Sequence, residues 1–73
     1  MEYDYSNLCG DIIKCYGTQA KFADALRISE RSLSLKLNNK VGWKQDEMIK
    51  ACELLNIKLS EIPDYFFVSK VQS

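Results

Sequence analysis

The sequence predicts a compact, all-α domain of five short helices built around a helix-turn-helix unit. Three observations predict it. Residues 18–40, TQAKFADALRISERSLSLKLNNK, read as two short helices, each preceded by a hydroxyl residue and separated by only a tight turn. The segments on either side repeat apolar residues at helical spacing and stop at Gly17 and Asn56. The tail, residues 68–71, alternates apolar and polar and adds at most a short strand.

The central unit is the most specific feature. Thr18 is placed to cap a helix over Gln19 to Leu26, and Ser29 to cap one from Glu30 to about Asn38. Arg27 and Ile28 leave room for a turn alone, so the two helices cross steeply. Leu33 and Leu37 share one face of the second helix. With Ala23, Leu26 and Ile28 they are expected to form a small core. Arg31, Ser34, Leu35 and Asn38 fall on or near the opposite side. That face offers a cation for guanine, an amide for adenine and an aliphatic group for the thymine methyl.

The remaining elements follow in chain order. Residues 1–5 form a short arm carrying Tyr3 and Tyr5, expected to be loose. Ser6 or Asn7 is expected to cap a first helix that runs to Tyr16, with Leu8, Ile12, Cys15 and Tyr16 as its apolar stripe and Gly17 as its stop. Gly10 inside it is costly unless another helix packs close there. After the central unit, Asn38 to Gly42 form a loop. Trp43 either anchors this loop at the core edge or presents its indole N–H to a phosphate. A fourth helix spans about Gln45 to Leu55, with Asp46 and Glu47 in its first turn. Ser60 is expected to cap a last helix with Pro63 in its first turn, ending near Tyr65. Of Phe66 and Phe67, one is expected in the core and the other on a dimer surface. The tail, residues 68–71, has the pattern of a short strand whose partner would be a second copy of itself.

Composition sets bounds. Seventy-three residues make one small domain, and an apolar share of 47% argues against disorder. No run is long enough to span a bilayer and no signal peptide is visible, so a cytoplasmic protein is expected. Cys9, Cys15 and Cys52 have no CxxC spacing and there is no histidine. The cysteines are expected to be small buried hydrophobes in a reducing cytosol, and no metal, cofactor or small-molecule ligand is expected. No nucleophile has an activating partner, which gives no reason to expect an enzyme. Net charge is zero, but residues 14–44 carry about +5 and the rest about −5. A neutral domain with this asymmetry can present a basic face.

TQAKFADAL, the turn, SERSLSLKLNN and the W–K loop together resemble the lambda-repressor-like (Cro/C1-type) helix-turn-helix domain of phage repressors. The resemblance covers about residues 5–67 of a single domain spanning 1–73. It implies a sequence-specific regulator of transcription, a phage or prophage repressor in bacterial or phage-infected cytoplasm. Its third helix would enter the major groove of a double-stranded DNA operator. The resemblance places Glu30, Arg31, Ser34 and Leu35 at bases. Gln19, Asn38, Lys40, Trp43 and Lys44 would meet phosphates, with Thr18 beside them at the helix start. A homodimer would span half-sites about 34 Å apart. Two positions depart from the pattern. Arg27 stands where the family usually has the glycine a positive φ requires, and Leu35 stands where a polar base reader is common. The alternative is a protein-interaction module on the same fold, an antirepressor or adaptor, favoured by the neutral charge and by Leu35, Phe66 and Phe67.

Overall fold

Residues 2–70 are described by a computed structural model. Among them are five α-helices and no strand: α1 Ser6–Tyr16, α2 Gln19–Leu26, α3 Glu30–Leu37, α4 Gln45–Leu55 and α5 Ile62–Phe66. Helix α2 packs on α1, α3 and α4, while α5 closes the bundle against α1 and α4.

The central unit forms as its caps dictate. Thr18 Oγ1 accepts from the Lys21 amide at 3.2 Å, and Ser29 Oγ accepts from the Ser32 amide at 3.0 Å. Between the helices Arg27 is left-handed, with φ 64° and ψ 39°. That conformation lets the Arg27 and Ile28 amides bond back to Asp24 and Ala23 at 3.1 and 3.0 Å. Gly17 and Asn56 end α1 and α4, both at positive φ. The core joins Leu8 and Ile12 of α1, Phe22, Ala23 and Leu26 of α2, Leu33 of α3, Ala51, Cys52 and Leu55 of α4, and Phe66 of α5. Ile28 and Leu37 pack against it, partly buried.

Several expectations are corrected. Ser6 is the first residue of α1 and not its cap; the acceptor is the Asp4 carboxylate, which takes the Ser6 amide at 2.8 Å and the Ser6 hydroxyl. Cys15 does not join the α1 stripe: it is exposed, whereas Cys52 is buried and Cys9 half-buried, all as free thiols. Ser60 caps nothing. A 3-10 turn over Leu59–Glu61 precedes α5, and Glu61 reaches back to accept the Lys58 amide at 3.1 Å. Pro63 sits in the first turn of α5 as expected.

The two chain ends also differ from expectation. Tyr3 and Ser69 form an isolated antiparallel bridge, flanked by bonds from Asp4 N–H to Val68 O and from Lys70 N–H to Glu2 O. The tail therefore pairs with this chain's own arm. Val71, which completes the expected strand, lies outside the described residues. Phe66 is buried, while Phe67 is exposed and meets the Tyr3 ring edge-on at 5.6 Å.

Two substitutions test the backbone reading. Arg27→Gly removes the left-handed penalty, and the greater freedom of glycine in the unfolded chain offsets part of it, so a net gain of about 0.5–1 kcal/mol is expected. A Cβ at Gly10 meets nothing within 4 Å. No close helix justifies that glycine, and Gly10→Ala is expected to add about 0.5–1 kcal/mol. Urea unfolding measures both; a lower midpoint for either variant contradicts the account.

Candidate interface on α3 and the loop that follows

The α3 helix has an outward face set by its inward one. Leu33 is fully buried, and its neighbour one turn on, Lys36, is buried too at 5% exposure. Glu30 and Arg31 are left exposed at the start of the helix, with Ser34 and Leu35 half-buried beside them. Lys40 and Lys44 are exposed in the following loop and at the α4 start. Among the described residues the ion pairs are Lys36–Glu47 and Lys70–Glu2, so Arg31, Lys40 and Lys44 keep their charges for a partner.

Three of the other expected site residues, Asn38, Trp43 and Thr18, already make contacts within the chain. Asn38 ends α3 by donating its side-chain amide to the Ser34 carbonyl at 2.8 Å and the Ser34 hydroxyl at 3.3 Å. That turns its donor back into its own helix. The Trp43 indole N–H is buried with no hydrogen-bond partner among the described residues. Its ring lies edge-on to Phe66 at 5.0 Å and tilted against Tyr5 at 6.5 Å. Trp43 therefore anchors the loop, with its indole N–H buried. Thr18 is exposed, with its oxygen used as the α2 cap. Gln19 is half-buried in the first turn, and its side-chain amide bonds nothing among the described residues.

The sequence reading missed two residues that hold this surface in place. Lys36 Nζ lies 2.9 Å from Glu47 Oε1, donates to the Gly42 carbonyl at 3.2 Å and sits 5.9 Å from the centre of the Trp43 ring. The same Glu47 oxygen accepts the Lys44 amide at 2.9 Å, capping α4. Burial pushes the Glu47 carboxyl upward. The Lys44 amide, the Lys36 hydrogen bond and the charges of both lysines outweigh burial and leave it below the usual carboxylate range. Asn39, left-handed at φ 62°, is the second. Its side-chain amide accepts from Tyr3 N–H and donates to Tyr3 O, each at 2.9 Å. One amide thus stands in for a neighbouring strand and fastens the arm to the loop after α3. An asparagine pair in a loop signals a turn, and nothing local signals that one of them bonds a residue 36 positions away.

The profile of the DUF739 family, described as a protein of unknown function, matches residues 1–69. The chain belongs to this family. Among solved structures, this DUF739 chain is similar to the solution structure of the modulator of repression (MOR) of the temperate bacteriophage TP901-1 from Lactococcus lactis. The identity is 53%, with 99% of this chain and 97% of that one covered and a TM-score of 0.82. No curated protein matches. The likeness supports a role of the phage-regulator type. Among the described residues there is no cluster of metal-ligating side chains and no helix long and apolar enough to cross a membrane.

Two measurements test the internal ties. Lys36→Ala strands a largely buried carboxylate and is expected to cost about 2–3 kcal/mol, with Lys36→Met/Glu47→Gln costing less than the two single changes together. Additive effects would show that the pair is not coupled. Asn39→Ala is expected to cost about 1–2 kcal/mol and to speed amide exchange at Tyr3 while leaving α4 protected. Acid provides a third. The Asp4 carboxyl is lowered by the Ser6 hydroxyl and then the Ser6 amide, so both it and Glu47 have depressed folded values. Their stabilisation is complete above the ordinary carboxylate range and is lost as pH falls through the depressed values. Glu47→Gln should flatten the loss of stability seen by thermal melting below about pH 4.

Proposed function

We propose that this chain regulates repression by contacting a repressor protein directly, as an interaction module and not as an enzyme. The likeness to a modulator of repression over nearly the full length of both chains carries this reading. The character of the candidate interface supports it. Glu30 and Arg31 balance one another at the head of α3, and Leu35 and the exposed Val41 put apolar surface beside them. The Trp43 indole N–H, a donor that a DNA reader would use, is buried, and the exposed Asn38 side chain donates to its own helix. A face of this kind matches the mixed polar and apolar character of protein interfaces better than a row of phosphates.

A second reading, a dimeric Cro/C1-type repressor on a two-fold operator, draws on the unpaired charges of Arg31, Lys40 and Lys44. Under it, Glu30, Arg31, Ser34 and Leu35 meet bases, while Thr18, Gln19, Lys40 and Lys44 meet phosphates.

Calorimetric titration with the purified repressor of the phage genome that encodes the chain, beside anisotropy titration of operator DNA at rising salt, separates the two. The first reading expects repressor binding and no DNA affinity that survives moderate salt. The second expects operator binding that weakens steeply with salt, with Arg31→Ala costing about 1–3 kcal/mol on the preferred site alone. Operator binding without repressor binding would overturn the first reading.

A further inference from the structure

Most of the large apolar side chains left exposed gather in one place. Among the described residues these are Ile13 (50%), Val41 (46%), Leu59 (58%) and Phe67 (47%). Ile13 lies on α1, but the other three border a single trough. One hollow of about 260 Å³ runs from Val41 and Trp43 to Met48 and Phe67. A second of about 440 Å³ continues from Met48 and Phe67 to Ile49, Ile62 and Leu59. Met48 and Phe67 line both, so the two hollows adjoin at these side chains. Isolated exposed apolar residues are ordinary, whereas a contiguous apolar depression beside a candidate interface marks a contact surface.

The charges around it restrict what fits. Of the side chains lining the two hollows, one is charged, Lys40, at the end next to α3, and none is a carboxylate. A second copy of this chain, docked trough to trough, would bring Lys40 no counter-charge and would leave the same uncompensated cation on each side. A nucleic acid would satisfy Lys40 but would leave the apolar floor exposed or set it against phosphate. The complementary occupant is a different chain that is apolar along one face and acidic at one end.

We infer that the trough seats an amphipathic helix of the repressor, with apolar anchors in the two hollows and a carboxylate over Lys40. This is helix-in-groove recognition. The inference rests on the reading that the partner is a repressor, and it adds the surface and the chemistry of the contact. The site adjoins α3: the Lys40 and Val41 amides both bond to the Leu35 carbonyl, at 2.9 and 3.3 Å, so the trough opens where the α3 face ends.

The test is calorimetric titration of the full-length chain with the purified repressor, using Leu59→Ser, Lys40→Glu, Leu35→Ser and Ile13→Ser. Leu59 and Lys40 are exposed at opposite ends of the trough, so neither change disturbs the core. Each is expected to raise Kd at least tenfold, with Ile13→Ser within twofold of the parent. If the parent binds and both trough variants bind equally well while Leu35→Ser weakens, the trough is overturned and the repressor reading stands. If the parent does not bind the repressor, both fall. Sedimentation gives the other decisive outcome. A parent dimer that Leu59→Ser dissociates, with repressor binding unchanged, would assign the trough to a second copy and overturn the inference.

Discussion

One buried ammonium group fixes the spatial relation of α3, the loop after it and α4. Lys36 meets a carboxylate from α4, a carbonyl from the loop and the face of the loop's tryptophan. Burying an ammonium group is costly unless each of its donors finds a partner, and here the three partners come from two segments, α4 and the loop. The arrangement holds only if all three are in place. It therefore selects one orientation of α4 against α3, which apolar packing, being non-directional, does not do. Glu47 extends the constraint: the oxygen that holds Lys36 also caps the start of α4. The exposed row from Glu30 to Lys44 has its shape because Lys36, in the middle of that stretch, faces the other way.

Which polar groups are already engaged within the chain bears on the two functional readings. A helix that reads DNA keeps its amides and hydroxyls outward. Here Asn38 closes its own helix, Ser34 receives that bond, and the indole of Trp43 lies against Phe66. What stays outward is a balanced pair of charges, two loop lysines and a run of apolar surface. The unpaired cations suit steering and orientation, and the apolar surface suits holding a partner once it has arrived.

The sequence was a good guide wherever the cause of structure was local. The caps at Thr18 and Ser29, the stops at Gly17 and Asn56 and the strained turn at Arg27 each depend on a few neighbouring residues, and all lie where the sequence placed them. The readings that failed share a different origin. Lys36 stands out in the sequence only as part of the basic charge of residues 14–44, because its burial depends on Glu47 and Trp43 meeting it across a loop. The tail was read as a strand in search of another molecule, because the arm that pairs with it is the most distant part of the chain. Asp4 took the role assigned to Ser6 through a bond only two residues long, which hydroxyl preference at caps obscures. The bond from Asn38 back to Ser34 and the burial of the Trp43 indole depend on rotamers that no periodicity encodes.

The bridge between Tyr3 and Ser69 also orders events as the chain is made. The arm has two edges. Asn39 can fasten one of them once roughly half the chain has emerged, because that bond spans 36 positions. The other waits for Val68 and Lys70, which follow Asn39 only after α4 and α5. During elongation the helical core can therefore assemble while the arm is held on one side only. The amide that follows α3 covers one backbone edge of the arm, and the tail then closes the other against pairing with neighbouring chains.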